Sequence, residues 1–284
     1  MTTVAIQGEP GCYHDAAARR YFDGIEVQTL PCPTFEALFD TMASRPDITG
    51  IVAMENTIAG PLLQNHELLR TSGLRIAGEE KMRISHVLCA LPGQTIDELT
   101  EVNSHPMALM QCERFIHSHP NLKAVERPDT AGSAAEIAEK GLTGHGAICS
   151  ALAAELYGLE ILERGIETNK RNFTRFLIVA GADFVGNIAG RKKVDKASIV
   201  FTLPHTGGAL SKVLAILSFY DMNLTRIQST PIVGREWEYR FYVDLTFADA
   251  ERYRRAIDAV RPLTGQLAVL GEYAEGATPE PPAD

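Results

Sequence analysis

Tyr239-Arg240-Phe241-Tyr242-Val243-Asp244-Leu245-Thr246-Phe247 alternates side chains residue by residue, and a period of two is that of a strand with one face in a core. Tyr239, Phe241, Val243, Leu245 and Phe247 form the apolar face, and Arg240, Tyr242, Asp244 and Thr246 carry polar groups on the other. Upstream, 223–227 reads as another strand, Ala209, Leu210, Val213, Leu214 and Leu217 fall on one helical face, and 198–203 alternates again. Downstream, Tyr253, Ala256, Ile257 and Val260 form a helical stripe, and 266–270 supplies a last strand. The order is βαββαβ.

That order predicts the ferredoxin-like split motif, an antiparallel sheet with both helices on one face. Before it, the pattern breaks over 181–196, where Gly186, Gly190 and the basic run Arg191-Lys192-Lys193 fall together. This places a linker at 183–196, between one unit at 1–182 and another at 197–273. The tail from 274 to 284, rich in Pro, Ala and acid, is expected to be disordered.

The first unit reads as α/β. Strands at 4–6, 27–29 and 50–54 alternate with helices, one opened by Thr34 and striped by Phe35, Leu38, Phe39 and Met42. A second set follows, with strands at 84–91, 101–104, 123–127, 146–149 and 175–180 and helices begun by Pro106, Asp129 and Ala151. Strands separated by helices imply parallel pairing. The expectation is two α/β lobes flanking a cleft, with ligands at the carboxyl ends of the strands.

The formal net charge of −9 argues against nucleic acid or an anionic membrane as partner, because clustered Lys and Arg hold both. No run of some 18 apolar residues occurs, and the chain opens directly into a strand pattern, which predicts a cytoplasmic protein. Five scattered cysteines without a C-x-x-C pair suggest buried reduced thiols and no metal site.

The polar, basic stretch Thr168-Asn169-Lys170-Arg171-Asn172-Phe173-Thr174-Arg175-Phe176 runs straight into an apolar strand and can bind an anion; a solvated loop is the plain alternative. Asn172-x-Thr174-Arg175-Phe176 resembles the N-x-T-R-F signature of prephenate dehydratases. Glu55-Asn56-Thr57-Ile58-Ala59-Gly60, Ser104-His105-Pro106 through Gln111-Cys112, Asp129-Thr130-Ala131 and Tyr157-Gly158-Leu159 with Ile161-Leu162 resemble further motifs of that family, in the same order. In the C-terminal unit Gly207-Gly208-Ala209-Leu210 and Asn223-Leu224-Thr225-Arg226-Ile227 resemble the G-A-L loop and N-L-T-x-I strand of ACT domains.

The resemblance implies a cofactor-free lyase whose lobes have the periplasmic-binding-protein arrangement. Such an enzyme turns prephenate, a dianion with a ring hydroxyl, into phenylpyruvate, CO2 and water, a step in making L-phenylalanine. Such a site needs fixed cations, hydrogen-bond donors and a proton source. By resemblance Thr174 donates toward the departing hydroxyl, Arg175 orients the site or pairs with a carboxylate, Asn56 donates to substrate, Glu55 is an orienting or relay carboxylate, and Gln111 joins the catalytic set. Ser104, Phe176, Asn172 and Thr130 are the expected substrate contacts, and His105 is read as structural. The ACT resemblance implies L-phenylalanine as effector at Gly208, Ala209, Leu210, Asn223 and Leu224. A ligand shared between subunits implies a homodimer or homotetramer.

Three departures matter. Met107 stands where the family has Gln, and Gln228-Ser229-Thr230-Pro231 replaces E-S-R-P, losing a charge pair. The opening Gly8-Glu9-Pro10-Gly11-Cys12-Tyr13 looks like the P-G-A-Y form of plant arogenate dehydratases. Arogenate dehydration is therefore an alternative activity, and a non-catalytic amino-acid sensor an alternative of another class.

Overall fold

A computed structural model describes residues 1–188 and 193–279. The chain begins with β1 (Thr2–Gln7), α1 (Tyr13–Tyr21), β2 (Val27–Cys32), α2 (Phe35–Ser44), β3 (Thr49–Asn56), the short β4 (Gly60–Pro61), α3 (Leu63–Ser72) and β5 (Arg75–Arg83). A second set comprises β6 (Val87–Ala90), β7 (Glu101–Ser104), α4 (Pro106–Gln111), α5 (Glu113–His117), β8 (Lys123–Glu126), α6 (Thr130–Lys140), β9 (His145–Cys149), α7 (Ala151–Leu156) and β10 (Glu160–Arg164). Then come β11 (Phe173–Ala180) and α8 (Val185–Ile188). The last unit is β12 (Lys196–Thr202), α9 (Ala209–Phe219), β13 (Asn223–Pro231), β14 (Tyr239–Thr246), α10 (Ala250–Val260) and β15 (Gly265–Tyr273).

These strands build three sheets. The first is ordered β2-β1-β3-β11-β5 with β4 beside β3, the second β10-β6-β9-β7-β8, and the third β13-β14-β12-β15. The βαββαβ order of the last unit is as expected, and its pairings are antiparallel throughout.

The lobes are less simple than the sequence suggested. Strand β11 does not close the second lobe; it crosses back and lies antiparallel between β3 and β5 of the first sheet. Antiparallel pairs β6–β9 and β6–β10 likewise break the expected all-parallel pattern. Besides the two-residue β4, two strands have no sequence counterpart. In β5 the run Glu79-Glu80-Lys81 imitates a solvated loop, but Glu79 is buried beneath ionic partners. Strand β10, Glu160–Arg164, is a charged edge strand, where polar residues are expected.

One apolar cluster runs from the first lobe (Ile6, Ile51, Phe176, Ile178) into the second (Ala134, Ala147, Ala153), so the lobes share a core below the cleft. A second cluster joins Val52, Met54, Ile76, Leu177 and Val179 to Val200, Tyr242, Leu270 and Tyr273, packing the third sheet onto the back of the first. Its other face is covered by Val213 and Leu217 of α9 and Tyr253, Ala256 and Ile257 of α10. Contact between the units is close enough that a Cβ on Gly271 would lie 2.5 Å from the Ile76 carbonyl oxygen.

Two boundaries shift. In the expected linker, Val185 and Ile188 of α8 pack against the first core, while residues 189–192 lie outside the described residues. The tail is anchored at its start: Glu275 pairs with Lys81 (2.8 Å) and Lys196 (3.3 Å), and Gly276 N donates to Glu79. The disorder expected from 274 is thus corrected for 274–279; residues 280–284 lie outside the described residues. All five cysteines are free and buried.

Candidate active site

Strands β3 and β11 pair so that Asn56 faces Thr174 and Glu55 faces Arg175. Because partners across the ladder share a face and successive side chains on a strand point to opposite faces, the two pairs lie on opposite sides of the sheet. Asn56 and Thr174 turn toward the groove between the lobes, Glu55 and Arg175 toward the third sheet.

On the groove side the contacts are neutral and continuous. Asn56 Nδ2 donates to Thr174 Oγ1 (2.9 Å) and to Asn172 Oδ1 (2.7 Å), while Asn56 Oδ1 accepts from the amides of Ile58 (2.9 Å) and Ala59 (2.8 Å). Asn172 Nδ2 donates to Gln111 Oε1 (2.9 Å), which also accepts from His86 Nε2 (2.8 Å), and His86 Nδ1 meets the Tyr13 hydroxyl at 2.7 Å. Burial lowers the His86 pKa, although Gln111 opposes it. Because Gln111 Oε1 is an acceptor, His86 carries a proton on Nε2, and the single Tyr13 hydroxyl hydrogen lies within reach of both His86 Nδ1 and the Ser85 carbonyl oxygen (3.0 Å).

This network settles what each group can offer. Both amide hydrogens of Asn56 are spent within the protein, so Asn56 orients Thr174 and is not the substrate donor expected of it. Thr174 Oγ1 receives a hydrogen bond and keeps its own hydrogen to donate. Gln111 Oε1 is similarly committed, but its Nε2 makes no hydrogen bond to the described residues.

The groove encloses a cavity of about 400 Å3 whose wall includes Thr174, Asn56, Phe176, Gln111, Thr130 and Asp129. Helices α1 and α6 both begin at this wall, with Tyr13 and Thr130, so the positive ends of their dipoles face it. Among the described residues no Lys or Arg lines it, contrary to the fixed cations expected for a dianion.

Asp129, the only carboxylate among the described residues there, caps α6 by accepting from Gly132 N (2.6 Å). Burial raises its pKa, against the pull of the Gly132 and Ala131 amides. His14 accepts from Ala53 N (3.3 Å), and burial depresses its pKa to about 4, so it is neutral. Cys12 is pushed up to about 12 by burial and donates to Gln7 O.

Of the expected site residues, Thr174, Asn56, Gln111, Asn172, Phe176 and Thr130 thus come together. Three do not. Ser104 is buried with its hydroxyl on Ile148 O (2.6 Å), and the cap of α4 is His105, whose Nδ1 accepts from Met107 N (3.2 Å). Arg175, 6% exposed, binds Glu79, Asp244 (2.7 Å) and the Tyr273 hydroxyl (3.0 Å) on the back of the sheet. Burial works against its charge, but Asp244, Tyr273 and Glu79 hold its pKa well above the usual value. Glu55 pairs with Arg226 (3.2 Å) and lies 3.9 Å from Arg175.

A cavity of about 480 Å3 on this back side is also bounded by Asn56 and Thr174. Its Lys81 is already paired with Glu275, so the groove between the lobes, with free donors, is the better reaction site. Tyr13, His86 and His14 had no role in the sequence reading. Only the position of Tyr13 in the opening motif and of His86 just ahead of β6 hinted at them.

In the third unit, Gly208 starts α9 in the left-handed region (φ 75°), and Ala209 and Leu210 line a cavity of about 350 Å3 with Trp237, Tyr239 and Phe241. Asn223 and Leu224 start β13 at the far end of α9, whose 11 residues span about 16 Å. Within one chain the five expected effector residues therefore form two separate groups.

The prephenate dehydratase family model matches residues 4–183. The chain is 37% identical to arogenate dehydratase/prephenate dehydratase 6, chloroplastic, of Arabidopsis thaliana over 98% of its own length and 70% of that protein's. Among solved structures it resembles GqqA, described as a novel type of quorum-quenching acylase, at 32% identity and TM-score 0.84, over 96% of this chain and 98% of that one. It also resembles prephenate dehydratase from Arthrobacter aurescens in complex with L-Phe, at 25% identity and TM-score 0.82, over 96% of this chain and 90% of that one. By the extent of these matches, the chain belongs to the prephenate dehydratase family.

Proposed function

We propose that the chain catalyses decarboxylative dehydration of prephenate to phenylpyruvate, CO2 and water in the groove between the lobes. The observation that carries this is the Asn56–Thr174 hydrogen bond, which leaves the Thr174 hydrogen as a directed donor. In the reaction the C–C bond to the ring carboxylate breaks, its electron pair enters the ring, and the ring C–O bond breaks as aromaticity is gained. The departing hydroxyl takes up a proton and leaves as water. Thr174 stabilises that oxygen by hydrogen bonding and passes it a proton that comes, in net, from solvent, since a threonine hydroxyl is too weak an acid to give one up alone. The substrate carboxylates are received by the amide-rich starts of α1 and α6 and by Gln111 Nε2.

Arogenate is the second reading. It carries an ammonium group where prephenate has a keto oxygen, and the cavity wall with Asp129 and no Lys or Arg suits that group. Acyl transfer finds less support: the Cys12 thiol is held protonated by burial, and Thr174 Oγ1 is bonded to an amide, which is no base.

The βαββαβ unit is read as an ACT domain that binds L-phenylalanine. A second copy related by a two-fold axis would bring Asn223 and Leu224 to the Gly208–Leu210 cavity, along the free edge of β13. Trp237, the only tryptophan of the chain, lines that cavity and would report binding by its fluorescence.

The test is turnover of prephenate and arogenate side by side, without added cofactor. Formation of phenylpyruvate supports the first reading, and a preference for arogenate selects the second. Turnover of neither contradicts both and leaves an amino-acid sensor.

A further inference from the structure

Strand β13 begins with the expected effector residues Asn223 and Leu224, and two residues later presents Arg226 to the first unit. Arg226 Nε lies 3.2 Å from Glu55 and Arg226 Nη1 3.8 Å from Asp244, so the guanidinium stands between two carboxylates on different units. Its bonding is incomplete. Nη1 reaches His66 Nδ1 only at 3.5 Å, and Nη2 is buried with no hydrogen-bond partner among the described residues. Burial depresses the pKa of His66 to about 3, so this neighbour is neutral and supplies no charge. Arg175, by contrast, is held by Glu79, Asp244 and Tyr273 together. The side chain of Glu55 is 37% exposed, so its pairing with Arg226 is the looser of the two junctions.

Glu55 immediately precedes Asn56, whose amide holds Thr174. We infer that Arg226 is a positioning residue for the groove: by fixing Glu55 it fixes the end of β3, and through Asn56 the aim of the Thr174 hydroxyl. A shift of β13 that moves Arg226 from Glu55 toward Asp244 then reaches the reacting groups through four named side chains. This deepens the dehydratase reading and rests on it for its kinetic arm.

The experiment compares wild type, Arg226→Met, Arg226→Lys, Glu55→Gln and the double variant Arg226→Met/Glu55→Gln. Turnover is normalised to folded protein, and the Asn56 side-chain amide is followed by NMR in protein labelled with 15N-asparagine, the signal being assigned by its loss in Asn56→Ser. Arg226→Met is expected to lower kcat about 10-fold with KM unchanged, Arg226→Lys to recover most of that, and the double variant to lose no more than Arg226→Met alone. The Asn56 amide signals should move in Arg226→Met and return in Arg226→Lys. A wild-type kcat in Arg226→Met, losses that multiply in the double variant, or unmoved Asn56 signals would overturn the inference. If wild type turns over neither substrate, the functional reading has failed, and the Asn56 signals alone decide the coupling.

Discussion

The two faces of β11 are built on opposite principles. Toward the groove, Thr174 sits in a chain of neutral amides, an uncharged imidazole and a phenol; toward the third sheet, Arg175 sits among Glu79, Asp244, Lys196 and Tyr273. A neutral network fixes direction without fixing charge, which suits the proposed reaction, in which a dianion is received and one proton brought up. An ionic cluster buried between two sheets tolerates little rearrangement, because each member offsets the desolvation of the others. Asp244 and Glu79 show the balance: burial raises both carboxyls, yet Arg175 in each case helps bring the pKa below the ordinary value. The proposed chemistry lies on one face and the docking of the units on the other.

The sharpest break of this comparison is Arg175→Met. Removing one member of a buried cluster leaves its partners uncompensated, and the loss of stability by urea denaturation should be about 3–5 kcal/mol. A loss below about 1 kcal/mol would mean that Arg175 is not the tie between the units.

Lowering the pH should separate contributions from each face. For His14 the folded pKa of about 4 lies below the ordinary imidazole value of 6.5. The unfolded chain therefore binds the proton first, and stability falls as pH drops from about 6.5 toward about 4, by about 3 kcal/mol in total. His66, depressed to about 3 by burial, adds loss of the same sign over a window reaching lower. Asp244 and Glu79, depressed from the ordinary values of 3.8 and 4.5, stabilise above those values and lose their contribution as pH falls below them. His14→Asn should flatten the first part of the decline and leave the acid end intact; an unchanged profile would contradict the neutral, buried state of His14.

Much of this was legible in the sequence, and the failures have a common cause. The βαββαβ unit was readable because 239–247 alternates cleanly and each helix carries its own stripe. Thr174, Asn56, Asn172 and Gln111 were readable from motifs, and they meet in space. Arg175 and Glu55 were read with Thr174 and Asn56 because they are adjacent in sequence, although the two-residue period of a strand sends neighbours to opposite faces.

The second error ran the other way. Nothing local marks Glu79 and Lys196 as buried, and the tail is expected to be disordered from its start, because the sequence does not show that each has its counter-ion on a distant segment. The return of β11 to the first sheet was hidden for the same reason: its pairing with β3 and β5 is non-local, and an apolar strand fits either lobe by composition alone.

The most direct test of the central claim is kcat with prephenate and with arogenate for wild type, Thr174→Val and Thr174→Ser, each with a melting curve. Valine keeps the shape and the strand preference but has no hydroxyl. The account predicts that Thr174→Val melts close to wild type yet loses about 10²–10³-fold in kcat on the preferred substrate, while Thr174→Ser retains most of it. A Thr174→Val enzyme with wild-type kcat would contradict the assignment of Thr174 as the donor.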